Sequence, residues 1–297
     1  MTRGDLLSET YTAEAASWAE TLLSGGRVEE ANLTRTDAMQ DLVARFGLGE
    51  NERRVLDLAF GVERSPSAGR LLRDLAGRAR LTVGVLGRVL GEDAVAALAA
   101  RRPLRANALV VTSGLPSGVV TPADTVRLGA GVGARLSGLT PPVDALGPGV
   151  EVVRPGAKPN LPEAMAAAMK DHVVDVEPSW VVMTGARPSD AGLLAEALAF
   201  RLQREVVLLD ARAAASLSPA DTWELLASVR RECDLADAPL VVDAVAAVRG
   251  AWRALVAPFP SGRRARAVVL INAELPLPRA PEGFTSHAVA LTPPRGW

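Results

Sequence analysis

Apolar positions recur at helical spacing along the first half of the chain and gather into short continuous runs along the second. Residues 6–23 and 36–46 place apolar side chains every three or four positions, the latter through Met39, Leu42, Val43 and Phe46. The stretch from Leu48 to Gly61 repeats the pattern, with Val55, Leu56, Leu58 and Ala59 as the buried stripe and Asn51 as the expected N-cap. Further helices fit 67–76, 82–90 and 93–101. Two strand-like runs follow, 108–112 and 118–121, joined by Ser113-Gly114-Leu115-Pro116-Ser117, which suits a hairpin turn. A last helix is expected over 122–136.

Residues 139–163 break this pattern with Pro141, Pro142, Gly147, Pro148, Gly149, Pro155, Gly156, Pro159 and Pro162. That density of breakers excludes a helix or a central strand and predicts an extended linker. Beyond it, a short helix is expected over 163–171. Apolar runs then come at 180–184, 205–210, 240–243, 266–272 and 287–291, with helical stretches at 192–203, 219–234 and 244–256. Strands that are apolar nearly throughout and alternate with helices predict a five-stranded parallel sheet covered on both faces. The fold class is therefore α/β, divided into a mostly helical domain (1–138), a Pro/Gly-rich linker (139–163) and an α/β domain (164–297).

Composition narrows the function classes. The chain has 297 residues, 48% hydrophobic and 23% charged, with a net charge of −1. No overall basic field draws it to nucleic acid or an anionic membrane. Its one cysteine, Cys233, cannot form an internal disulfide, which predicts a cytoplasmic setting. No apolar run reaches the roughly 18 residues needed to span a bilayer, and the start of the chain lacks the apolar core of a signal peptide. His172 and His287 stand far apart in sequence, so no zinc site is expected.

The run Trp180-Val181-Val182-Met183-Thr184 leads into Gly185-Ala186-Arg187-Pro188-Ser189-Asp190-Ala191-Gly192 and then a helix. Strand, glycine loop and helix form the scaffold of a phosphate-binding P-loop, whose pattern is Gly, four residues, Gly, Lys, then Ser or Thr. Here the last three positions hold Asp190, Ala191 and Gly192. Ala191 supplies no charge and Gly192 no hydroxyl for magnesium. Asp190 brings a carboxylate toward the phosphates, and two like charges about 4 Å apart repel by ~4 kcal/mol at an effective dielectric near 20. Arg187 could offset part of this. The chain has only two lysines, Lys158 and Lys170, and neither is in the loop. By itself the segment reads as an ordinary strand-to-helix turn.

Two further positions bear on that reading. Leu240-Val241-Val242-Asp243 looks like a Walker B strand, in which the aspartate holds magnesium through water, but Ala244 stands where a hydrolysing member has a glutamate. Asp243 reads equally as a relic metal site or as the N-cap of the next helix. Asn272, at the end of the fourth run, fits a polar sensor near the γ-phosphate or a turn former.

Residues 178–292 resemble the core of an AAA+ ATPase with a degenerate nucleotide site. The resemblance implies a P-loop-NTPase-like sheet and a relic site of Gly185, Arg187, Ser189, Asp190, Ala191, Gly192, Asp243 and Asn272. It departs from the family at Ala191, Gly192 and Ala244, and the helical lid that follows the fifth strand has no counterpart before Trp297. The helices and hairpin of the first half come in the order of a winged helix. Phe46-Gly47-Leu48-Gly49-Glu50-Asn51-Glu52-Arg53-Arg54-Val55-Leu56-Asp57-Leu58-Ala59, followed by Arg102-Pro103-Leu104-Arg105, is similar to the region ahead of the ATPase module in AAA+ proteins of bacterial contractile injection systems. There a winged helix precedes a degenerate AAA+ module and then an active one.

These readings predict a non-hydrolysing scaffold that contacts proteins, either copies of itself or an active AAA+ ATPase. No cofactor or metal is expected, ATP with magnesium being the alternative ligand. A partner-completed ATPase is the second hypothesis and a DNA-binding regulator the third. Residues 82–90 would be the recognition helix, but they carry only Arg88, with Arg78 and Arg80 just before, where base-reading helices carry several Arg, Lys, Asn or Gln. A packing or protein-contact helix is the favoured reading. Arg101, Arg102 and Arg105 are expected to form a solvated basic face.

Overall fold

A computed structural model describes residues 3–26, 33, 36–114, 118–139, 141, 146–172, 179–186, 190–244, 247, 267–271 and 285–291. They fall into two compact units, one ending at Pro141 and one beginning beyond it.

The N-terminal unit is built on α1 (Arg3–Leu23), α2 (Asp37–Phe46), α3 (Glu50–Arg64), α4 (Ala68–Ala76) and α5 (Val83–Leu90). Its centre is α3, whose Val55, Leu56, Leu58, Ala59 and Phe60 are all buried. The stripe expected from the sequence is there, but the cap is not: Gly49, with no side-chain bond, begins the helix, and Asn51 lies in the first turn beside Glu50 and Glu52. Elsewhere caps do fix the starts. Thr36 Oγ1 accepts from the Met39 amide and Thr82 Oγ1 from the Val85 amide.

Helix α1 lies tightly on α3. The Tyr11 ring stacks on Phe60 with centroids 5.3 Å apart, and its hydroxyl donates to the buried Asp57 carboxylate at 2.6 Å. Burial, then the charge and hydrogen bond of Asp57, push the Tyr11 pKa far above the ordinary tyrosine value. Tyr11→Phe removes that donor and leaves the buried carboxylate one partner short, an expected loss of about 1–2 kcal/mol in urea denaturation followed by circular dichroism.

Two short helices, α6 (Glu92–Ala96) and α7 (Pro103–Ala106), lead to the hairpin strands β1 (Val110–Thr112) and β2 (Val126–Leu128). The second strand is not the expected 118–121. Strand β2 pairs antiparallel with β1 in the register Thr112↔Val126. The physical reason is burial: Val126 and Leu128 face the core, whereas Val119 is 94% exposed. The loop closes on Asp124, whose carboxylate accepts from the Thr121 amide at 2.7 Å and the Ser113 hydroxyl at 3.3 Å. The expected helix over 122–136 shrinks to α8 (Val132–Leu136), which begins after Gly131 at φ +79°. The helix expected over 93–101 stops at Ala96.

The C-terminal unit holds β3 (Val150–Val153), α9 (Glu163–His172), β4 (Ser179–Thr184), α10 (Asp190–Leu202), β5 (Val206–Asp210), α11 (Pro219–Ala236), β6 (Leu240–Asp243), β7 (Ala267–Ile271) and β8 (Thr285–Ala290). The sheet has six strands in the order β3-β5-β6-β7-β4-β8, parallel except for β3. Five parallel strands were expected; the sixth comes from the Pro/Gly-rich segment. Val150 to Val153 form an edge strand between Gly149, at φ +75°, and the region of Pro155. An edge is the one place in a sheet where such a segment fits. Trp180, Val181, Val182 and Met183 of β4 and all of β6 are buried. The helix expected over 244–256 lies almost wholly outside the described residues, and Ala244 itself has φ +52°.

Candidate functional site

The carboxyl ends of the parallel strands meet along one edge of the sheet, with Asp210 paired to Asp243, and Asp243 and Met183 both to Ile271. Ligands of open α/β sheets bind at this edge, where successive connections leave in opposite directions. Here that point is β4. The chain passes from β4 to β5 over β7 and β6, while β8 returns to the other side of β4.

The glycine loop leaves β4 at this point. Gly185 has φ +75°, and a Cβ there would lie 2.5 Å from the Leu291 carbonyl oxygen, so no other residue fits. The Leu291 amide donates to the Thr184 carbonyl at 2.8 Å, tying the base of the loop to the exit of β8. Arg187 and Ser189 lie outside the described residues, as does Asn272. Asp190 opens α10 and is buried there, a carboxylate at the positive end of the helix dipole. Ala191 is 3% exposed and packs in the core with Met183, Leu194 and Val269. A lysine at that position would have to enter an apolar cluster. Gly192 faces open space.

Asp243, at the end of β6, sits deep, its side chain 3% exposed. Its carboxylate accepts from Arg212 Nη2 at 2.5 Å. The same guanidinium donates through Nε to Asp210 at 2.9 Å, and the Arg212 amide donates to that oxygen at 3.0 Å. The Ala211 amide donates to the Asp243 carbonyl at 3.0 Å, so the turn after β5 folds across the end of β6. Burial works against ionised Asp210, but the hydrogen bonds and charge of Arg212 outweigh it and hold the carboxyl below its usual range. Asp210 and then Asp243 raise the Arg212 pKa.

The sequence reading missed Arg212. The signal was Asp210-Ala211-Arg212 at the end of a strand whose neighbour also ends in an acid. An arginine two residues past one carboxylate reaches the next strand's carboxylate once the two strands pair. Among the described residues no group of three or more His, Cys, Asp and Glu is placed to hold a metal ion. The described residues at this edge do not fit a triphosphate with magnesium: the carboxylate of Asp243 accepts from a guanidinium, and an acid stands at the head of α10.

In the N-terminal unit, a groove of about 570 Å³ runs between the ends of α4 and α5 and the loop before β2, lined by Leu75, Arg78, Thr82, Gly84, Arg88 and Pro122 among others. Only Gly84 and Arg88 of α5 are exposed, with Gly87 and Val89 half-buried. Arg88 donates to the Leu75 carbonyl at 3.3 Å. The expected solvated basic face keeps Arg101 and Arg102 but not Arg105. Arg105 is buried, donating to the carbonyls of Leu98 at 3.1 Å and Gly118 at 2.9 Å, and its burial lowers its pKa. Arg102 lies 3.7 Å from Glu52. Arg101 alone of the three stands in solvent without a described partner.

A family model described as a winged helix domain, variant, matches residues 26–124. No curated protein matches the chain. The winged helix therefore carries α2 to α7, β1 and the loop that precedes β2, and its α5 and loop frame the groove just described. Arg105 pins that loop to the helix that precedes it, so its role in the winged helix is structural.

Proposed function

We propose that the chain is a scaffold that contacts proteins, and that its α/β unit is an AAA+-like module whose nucleotide site has been converted to structure. The observation that carries this reading is the guanidinium of Arg212 seated on Asp243, the carboxylate that would otherwise hold magnesium. Supporting the AAA+ likeness, β7 separates the aspartate strand β6 from the glycine-loop strand β4, the arrangement such a core requires. Ala191 in the core and Asp190 at the helix end argue in the same direction. A site completed by a partner subunit would still need Asp243 free for metal.

The winged helix favours protein contact over base reading, because α5 itself offers solvent one cation, Arg88, and its groove adds only Arg78, where base-reading helices carry several Arg, Lys, Asn or Gln. Its partners in this proposal are proteins, either further copies of the chain or an active AAA+ ATPase of the kind found in contractile injection systems. Phosphate release from ATP with magnesium is expected to equal that of a mock preparation. Turnover above that level, lost on Asp243→Ala, would overturn the reading. Arg88→Ala is expected to leave duplex DNA retention unchanged in low-salt gel shifts.

A further inference from the structure

Both lysines of the chain line one groove of the α/β unit, a depression of about 730 Å³ between α9 and α10. It is far from the strand-end site. Phe200 lies ten residues along α10 from Asp190, about 15 Å at 1.5 Å per residue.

The two helices present the same pattern to it. Helix α9 contributes Ala166, Met169 and Lys170, and α10 contributes Ala197, Phe200 and Arg201. Each set is a small residue, a large apolar one three positions on, and a cation four positions on, so each lies on one helix face. Met169 and Ala197 are buried and Phe200 half-buried, giving an apolar floor that Leu161 extends from the preceding strap. Lys158, Lys170 and Arg201 are exposed around it. Arg201 donates to the Met169 carbonyl, which holds its guanidinium at the groove and ties the two helices together. Among the described residues no carboxylate pairs with either lysine.

An apolar floor ringed by cations on a chain of net charge −1 is a local arrangement, since the protein as a whole is not basic. We propose that this groove docks an acidic amphipathic helix of a partner protein. Its apolar residues, spaced i, i+3 or i+4 and i+7, would lie on Met169 and Phe200, and its carboxylates would meet Lys158, Lys170 and Arg201. Helix-in-groove recognition uses such anchors, and the charge ring selects an acidic partner and rejects a basic one. A nucleic acid would be served by more cations and less floor.

The proposal rests on the scaffold reading for its expectation of a protein partner, but its test involves no nucleotide. Turnover of ATP would end that reading and leave the peptide result standing. The probe is a displayed library of short helical peptides selected against the full-length chain, with the winners synthesised, labelled and titrated by fluorescence anisotropy. Enrichment of acidic amphipathic sequences is expected, with binding weakened at least tenfold by Lys158→Glu/Lys170→Glu and by raised salt, and unchanged by Arg88→Ala. Both lysines are exposed, so the double variant keeps its fold, which circular dichroism checks. The proposal is overturned by a selection without enrichment of acidic sequences, by winners indifferent to the charge reversal, or by preference for a small anionic amphiphile that displaces every peptide.

Discussion

Gly61→Ala is expected to destabilise the N-terminal unit by about 3 kcal/mol or more, although alanine inside a helix normally gains up to about 1 kcal/mol over glycine. A Cβ at position 61 would lie 2.1 Å from the Ala15 carbonyl oxygen, 2.8 Å from the Ala15 carbonyl carbon and 2.9 Å from the Ala19 Cβ. The first two are backbone atoms, which no rotamer change can move. Helix α1 would have to lift off α3, separating the Tyr11–Phe60 stack and the Tyr11–Asp57 hydrogen bond. Overpacking in a core commonly costs about 1–3 kcal/mol, and a backbone clash with a lost buried hydrogen bond belongs at the top of that range or above it. Hydrogen exchange of the α1 and α3 amides reads this unit separately from the other. Unchanged or slower exchange in the variant would show that α1 does not lie where Gly61 meets Ala15.

Arg212→Ala carries the second large effect, about 2 kcal/mol on the α/β unit. Removing one partner of a fully buried ion pair costs about 3–5 kcal/mol because the other charge is stranded. Here Asp243 is buried, its side chain 3% exposed, while Arg212 is 47% exposed, so water offsets part of the loss. A second change, Asp243→Asn in the Arg212→Ala background, removes the stranded charge and is expected to recover most of the stability. A double-mutant cycle in urea measures that coupling, and additive losses would show that the two side chains do not interact. The pH dependence has a definite sign. Asp210 has a depressed carboxyl pKa in the folded state, so its contribution is full above the ordinary carboxylate range and is lost as pH falls through the depressed value. Arg212→Ala has already lost the pairing, so the gap between wild type and variant narrows on acidification.

Much of this architecture is legible in the chain because burial leaves a strong pattern. Strands β4 and β6 follow from runs whose positions are nearly all buried, and helix α3 from its buried apolar stripe. The pattern fails where burial is one-sided or short. Strand β3 has a single buried residue, Val150, among prolines and glycines, and among the described residues it pairs only with β5. The run 118–121 alternates like a strand but has no surface to cover, while Val126-Arg127-Leu128 does, although glycines follow it. At the candidate site, the absence of a lysine, a hydroxyl and a glutamate from the P-loop-like and Walker-B-like positions could be read from single residues, Ala191, Gly192 and Ala244. The contact that occupies Asp243 could not, because Arg212 meets it only through the pairing of β5 with β6. Nor could the shared groove of the two lysines, twelve positions apart, be seen before α9 and α10 were in contact with it.

The proposed conversion of the strand-end site to structure is tested most directly by the thermal stability of the intact chain in ATP with magnesium. A ligand at a hundred times its dissociation constant stabilises the folded state by about 2.7 kcal/mol, which raises the melting temperature by several degrees in a unit of this size. With Arg212 on Asp243 and Asp190 at the head of α10, the account predicts no shift at millimolar concentration. An upward shift of several degrees that needs magnesium and disappears in Asp243→Ala would contradict it.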